Sequence, residues 1–314
     1  MNLYRAVRAV ADTEGDGPVD WNAVGTAARA GTDPGDLTLS AAERQGYADD
    51  VGDARDAIRA AAGVDFDLPG NVQVQNRHHW IDANLETFER MLAPLEERAV
   101  LAPSLARSAN TGSMAITLGF LANNVLGQYD PLLLGEGEPE LYFVHPNIGM
   151  VSEALDVDRD RFRRWIAFHE VAHAAEFGAA PWLSSRLERN VEAAVSELAD
   201  GGLDHESLGE LDVTMTAVEG YAELVMDRAF DRTYDDLREK LDARRGNAGP
   251  VSMLIRRLLG LGMKRRQYER GKAFFDAVAE ARGVAGAAVV WEHPDNLPTD
   301  EELDDPARWL ARVD

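Results

Sequence analysis

The stretch 165-WIAFHEVAHAAEFG-178 carries two histidines, His169 and His173, four residues apart, with Glu170 directly after the first. Its bulky apolar approach and alanine-rich continuation predict a helix from about 158 to 177. Residues four apart lie on one helix face, so both imidazoles can reach one ion. Glu170 lies about 100° further round the helix, close enough to face the open side of a metal without binding it. The motif therefore predicts a metal site with a carboxylate beside it.

The alternative is a pair of histidines packed in the core. An apolar stripe that includes Phe162, Trp165 and Ile166 runs into the pair, so both imidazoles are expected to be buried. Buried imidazoles need hydrogen-bond partners, and two neighbouring rings cannot both be neutral donors without acceptors. A shared metal ion resolves this conflict, and the metal site is the favoured interpretation.

Zinc is the expected ion, and it must be held by His, Asp and Glu because the chain has no cysteine. A catalytic zinc takes three protein ligands and leaves one position for water. A third histidine six residues after the second would complete an extended motif, but that position holds Ala179. A di-iron carboxylate site would need a second Glu-x-x-His pair, which the sequence lacks. The third ligand must come from elsewhere in the chain.

The best third ligand lies in 217-AVEGYAELVMD-227, where Glu219 flanks the apolar stripe of a predicted helix. A carboxylate on that apolar edge needs a partner, and a zinc ion would serve. Glu223, four residues on, can orient a ligand histidine by bonding its far nitrogen. Spacing alone leaves other candidates open: Glu176, Glu188, Glu192, His205 and Asp227.

The composition limits the partners and the location of the protein. The formal net charge is −23, and Lys240, Lys264 and Lys272 are the only lysines among 32 basic residues. This surface favours a salt-adapted (halophilic) cytoplasm and repels phosphate backbones, so we expect no nucleic-acid partner. No apolar run is long enough to span a bilayer, and the first twenty residues lack the apolar segment of a signal peptide. We therefore expect a cytoplasmic protein without a membrane partner; the sequence leaves its oligomeric state open.

The rest of the chain predicts a mostly α (α+β) protein with a small β-sheet. Runs 72–75 and 141–144 predict strands, with a weaker one at 287–290. Ser40 and Glu43 form a capping box that opens a helix to about 62. Further helices are predicted at 77–93, ending before Pro94, and at 103–126, 182–199, 206–230, 235–243, 250–262 and 265–282.

The ordered set of motifs resembles the zincin-like hydrolases of the gluzincin type, a family also associated by name with deazaflavin coenzyme biosynthesis. The likeness covers nearly the whole chain. It is carried by 126-LGQYDPLLL-134, 142-YFVHPNI-148, 165-WIAFHEVAHAAEFGAAPWL-183, 218-VEGYAELVMD-227 and 258-LLGLGMKRRQYERGKAFF-275.

The resemblance implies a fold and a set of roles. The fold would be one zincin-like domain over 1–314, with its sheet beside the HExxH helix. This domain would consist of three parts: an N-terminal helical lobe (1–140), an active-site core (141–230) and a C-terminal helical lobe (231–314). His169, His173 and Glu219 would hold one zinc ion, Glu170 would be the catalytic base, and Glu223 would take the place of an acidic residue that orients a ligand.

The implied activity is zinc-dependent hydrolysis of a peptide or amide substrate, most simply as a metallopeptidase in which Glu170 deprotonates a water activated by zinc. Tyr268 is the candidate donor to the developing oxyanion, with Tyr221 and His145 as alternatives. A zinc-binding interaction protein without catalysis is the competing interpretation, and the presence of Glu170 favours the enzyme. The resemblance does not indicate a substrate.

Overall fold

The computed structural model describes most of the chain. The described residues are 17–96, 103–131, 138–199, 205–230, 234, 236–237, 239–240 and 265–313, with backbone alone at 94–96, 103–106, 198–199, 205–207 and 265–268. The helices predicted at 235–243 and 250–262 lie wholly or largely outside these residues. No helix among them has the length and apolar character needed to cross a bilayer.

Helices dominate the structure, as the sequence predicts. The helices are α1 (Trp21–Gly31), α2 (Ala41–Ala62), α3 (Arg77–Glu96), α4 (Pro103–Ala122), α5 (His145–Ala154), α6 (Arg159–Ala179), α7 (Trp182–Ala199), α8 (His205–Ala229), α9 (Arg265–Ala288), α10 (Asp300–Asp304) and α11 (Pro306–Arg312). The strands are β1 (Asn71–Gln75), β2 (Gly127–Asp130) and β3 (Glu140–Val144).

The chain divides into two compact units, each built from separate stretches of sequence. The first contains Met1–Thr38, Asn71–Val151 and Val191–Asp204; the second contains Leu39–Gly70, Ser152–Asn190 and His205–Asp314. The three lobes expected from the sequence, with boundaries at 140/141 and 230/231, stay a prediction.

The first unit contains a three-stranded sheet of order β1-β3-β2. Strand β3 lies in the centre, parallel to β1 and antiparallel to β2. Its last four residues, 141–144, are buried. The strands predicted at 72–75 and 141–144 are confirmed. The strand predicted at 287–290 is wrong, because this short apolar run continues α9 and then forms a 3-10 turn over Val289–Trp291.

The second unit is a helical assembly around α6 and α8. Helix α2 packs against both α6 and α8, and α8 also packs along α9. Helix α6 is buried around most of its circumference, which makes it the central element of this unit. The predicted capping box of Ser40 and Glu43 opens α2 in the structure.

Helix α6 begins and ends where local chemistry requires it. The Asp158 side chain accepts the backbone N–H of Arg161 at the start of the helix. The helix was predicted to end at about 177, and it continues through Gly178 to Ala179. Pro181 lies just beyond this end, and its ring nitrogen cannot donate a further helical hydrogen bond. Gly178 serves packing instead: a Cβ there would lie 2.9 Å from the Cβ of Phe66.

A buried ion pair fixes α6 against α2. Arg163 Nε lies 2.7 Å from Asp50 Oδ2, and the two side chains are 10% and 9% exposed. The guanidinium also lies over the Tyr47 ring, 5.2 Å from its centroid. Loss of one partner from such a pair typically costs about 3–5 kcal/mol, because the other charge stays buried. This pair therefore holds the orientation of the helix that carries the HExxH motif.

Helices α8 and α9 meet backbone to backbone at two glycines. A Cβ on Gly220 would lie 2.4 Å from the carbonyl carbon of Gly271, and one on Gly271 would lie 2.3 Å from the carbonyl oxygen of Thr216. Backbone atoms cannot move aside as a flexible side chain can. This close approach fixes α8 beside α9 at the residue that directly follows Glu219.

We expect Gly271→Ala to lower the free energy of unfolding by about 1–3 kcal/mol, the usual cost of forcing an extra methyl into a packed interface. The gain in helix propensity offsets at most about 1 kcal/mol of this. Gly52→Ala in α2 is the control, since no atom lies within 4 Å of the added Cβ. Urea denaturation should show a loss for the first variant and no loss for the second. Equal stability of Gly271→Ala and wild type would refute the predicted contact.

Candidate metal centre

The two histidines of the motif lie one turn apart on α6, with their rings edge to face. Their ring centroids are 4.7 Å apart with an interplanar angle of 77°. Trp165, one turn earlier, stacks on His169 with an interplanar angle of 6°. The apolar stripe predicted from the sequence therefore contacts His169 through the stacked ring of Trp165, and His173 follows on the same face of the helix.

Glu219 reaches this pair from α8. Its Oε2 lies 3.8 Å from His169 Nε2 and 4.0 Å from His173 Nε2. The side chains of His169, His173 and Glu219 are 15%, 13% and 12% exposed. The cluster is neither sealed in the core nor spread on the surface, as a site that must admit a small molecule requires.

The geometry of these three side chains fits one divalent ion. One ligand atom from each residue lies within 4.8 Å of the others. Zinc bonds to histidine and carboxylate are about 2.0–2.2 Å long, so atoms roughly 4 Å apart can share an ion. Glu219 Oε2 is buried and has no hydrogen-bond partner among the described residues. A buried carboxylate oxygen without a donor is costly, and a cation would offset that cost.

The structure separates Glu219 from the other candidates for third ligand. Among the described residues, the group that can hold a metal consists of His169, His173 and Glu219. Asp227 instead lies 2.9 Å from Lys272 Nζ in an ion pair. Two other candidates, Glu188 and Glu192, are not members of the group, and the His205 side chain lies outside the described residues.

Glu176 has a place that sequence reasoning missed. Its carboxylate Oε2 lies 2.9 Å from His173 Nδ1, on the opposite side of the ring from Nε2. The side chain is fully buried. From the sequence alone, Glu176 was only a candidate metal ligand. Its spacing of three residues from His173 on one helix was the available signal for a hydrogen-bonded pair.

These carboxylates change the protonation of His173. Burial lowers its pKa, but the hydrogen bond and charge of Glu176, with the charges of Glu219 and Glu170, outweigh this and raise it. Burial in turn raises the pKa of Glu176. A proton on His173 competes with a metal for the ring, because only the neutral imidazole binds metal.

The other site residues predicted from the sequence lie on α6, α8 and α9. Glu170 is buried on α6, near enough for its charge to act on His173. Glu223 is buried on α8, one turn after Glu219, and its orienting role stays a prediction. Tyr268 belongs to the first turn of α9, but its side chain lies outside the described residues. Its alternative Tyr221 is buried against Phe275 and Trp291.

Comparisons with known proteins identify the family of this chain. A family model described as zincin-like metallopeptidase matches residues 19–208 and 195–310. A crystal structure from Chloroflexus aurantiacus, provisionally assigned as a hydrolase with a novel fold, is 29% identical. The match covers 99% of this chain and 96% of that chain, with a TM-score of 0.74. A comparison with curated proteins gave no match. Because the family model spans nearly the whole sequence, the chain belongs to the zincin-like metallopeptidase family.

Proposed function

We propose that this chain is a zinc-dependent metallopeptidase, with His169, His173 and Glu219 as ligands of one zinc ion and Glu170 as general base. The observation that carries the proposal is the convergence of three ligand atoms from α6 and α8 within 4.8 Å of one another. Membership in the zincin-like family supports hydrolysis and zinc. The restriction to peptide bonds rests on the motif and on the description of the family.

The residues divide the chemistry between them. A bound zinc ion would supply a Lewis acid that lowers the pKa of water toward about 7 and polarises a carbonyl group. Glu170 would accept the proton of the attacking water and pass it to the leaving amine. Glu170 is buried on α6, directly after His169.

A donor to the developing oxyanion completes the proposed site. Tyr268 is the candidate, because a phenol can donate a hydrogen bond to the negative oxygen as the carbonyl becomes tetrahedral. The competing candidate His145 begins α5 in the other compact unit. Tyr268→Phe removes the donor and keeps the ring, so it should lower kcat more than it raises KM.

Removal of the metal is the direct test of the proposed function. We expect wild-type protein to bind one equivalent of zinc and to cleave members of a broad peptide library in high salt. A chelator should abolish cleavage, and added zinc should restore it. Cobalt and manganese are useful parallel additions, because sites of this ligand type accept several divalent ions.

The control is circular dichroism of the chelated protein, which distinguishes loss of metal from loss of fold. Cleavage that survives complete removal of metal contradicts the proposal. One equivalent of bound zinc with no cleavage of any peptide or amide tested would instead favour a zinc-binding interaction protein.

A further inference from the structure

We propose that Glu176 is a positioning residue that selects Nε2 of His173 as the metal-binding atom. This inference rests on the proposed zinc site. It assigns to Glu176 the kind of role that the sequence assigned to Glu223 alone.

The contact with His173 decides which ring nitrogen is available. An ionised carboxylate only accepts hydrogen bonds, so the 2.9 Å contact to Nδ1 requires a proton on that nitrogen. In the neutral ring the lone pair then lies on Nε2. That is the nitrogen 4.0 Å from Glu219 Oε2, on the side of the ring where the three ligand atoms meet. Glu176 therefore holds the tautomer that can bind a metal.

The pair lies within one turn of α6. Glu176 follows His173 by three residues, so the helix itself holds the carboxylate beside the ring.

The Glu176 carboxylate is completely buried, so it cannot contribute to solubility. Its side chain is 0% exposed, and a buried charge is expensive unless partners compensate for it. The ring of His173, 2.9 Å away, is the partner that the structure provides. Carboxylates that hold metal-binding histidines in this way typically change metal affinity by about 10–100-fold.

The test compares zinc affinity in Glu176→Gln and Glu176→Ala with that in wild type, by competition against a chromophoric chelator. Glutamine keeps an acceptor but loses the charge, so we expect about tenfold weaker binding; alanine loses both, and we expect about 100-fold. The cobalt absorption spectrum of each variant should also change, because the orientation of one ligand ring changes. If the alanine variant does not fold, the glutamine variant alone decides.

Glu302→Gln is the matched control, since Glu302 is similarly buried in the same unit but pairs with Arg312. We expect its zinc affinity and cobalt spectrum to equal those of wild type. Folded Glu176 variants that bind zinc within threefold of wild type, with an unchanged cobalt spectrum, would overturn the inference. Failure of wild type itself to bind zinc would overturn the proposed site, so the two failures are distinguishable.

Discussion

Replacement of Glu170 by glutamine is expected to reduce peptide cleavage by about 10²–10⁴-fold, the usual contribution of a general acid–base residue, while zinc remains bound. The amide occupies nearly the same volume but cannot accept and return a proton. Glu170 lies beside His169 on α6, and it does not belong to the three residues whose ligand atoms converge. The substitution should therefore leave the zinc affinity within a few fold of wild type.

The measurement is kcat/KM on a library peptide that wild type cleaves, together with zinc stoichiometry for each preparation. Glu302→Gln is again the control for a buried carboxylate lost elsewhere in the same unit. Undiminished cleavage by zinc-loaded Glu170→Gln would remove Glu170 as the base. Loss of zinc in this variant would show instead that the carboxylate supports the metal.

Replacement of Glu219 by alanine should weaken zinc binding by at least about 100-fold and abolish cleavage at limiting zinc. Four-ligand zinc sites bind with about 10–16 kcal/mol, so one ligand accounts for about 3 kcal/mol, more than a hundredfold in affinity. The metal-free fold should be little affected, because Glu219 Oε2 accepts no hydrogen bond from the described residues.

Glu188→Ala and Glu192→Ala are the matched controls, since both are acidic alternatives from the sequence that lie outside the metal-binding group. We expect both to bind zinc as wild type does. Isothermal titration of metal-free protein measures all three variants directly. Unchanged affinity in Glu219→Ala, with a loss in either control, would transfer the ligand role to the other carboxylate.

The sequence predicted the helix that carries the HExxH motif better than it predicted the third ligand and the ends of other elements. The HExxH helix follows from spacing alone, since a four-residue repeat has one geometric meaning on a helix. The choice of Glu219 needed the fold, because several carboxylates share its sequence context and only α8 brings this one to the pair. Strand β2 (Gly127–Asp130) was missed because four residues of mixed polarity carry no alternating pattern.

Proline and glycine were also unreliable as markers of helix ends. Pro94 was predicted to stop α3, yet the helix runs to Glu96, because a proline in the last turn removes only one N–H bond. At Gly283 the local signal was partly right. The helix predicted to end at about 282 does break at this residue, whose φ is 76°, and a second helical segment then continues to Ala288. The direction of the chain after a glycine cannot be determined from the local sequence.

Zinc binding at the proposed site should offset part of the cost of a methyl group at the contact between Gly220 and Gly271. A ligand that binds only the folded chain stabilises it by about 2.7 kcal/mol at one hundred times its dissociation constant. That is similar in size to the expected cost of the extra methyl in Gly271→Ala. Because this stabilisation acts on any folded chain that keeps the zinc site, zinc should raise the melting temperature of this variant as well as that of wild type. Growth medium that is poor in zinc would then turn a tolerated substitution into one that lowers the amount of folded protein in the cell.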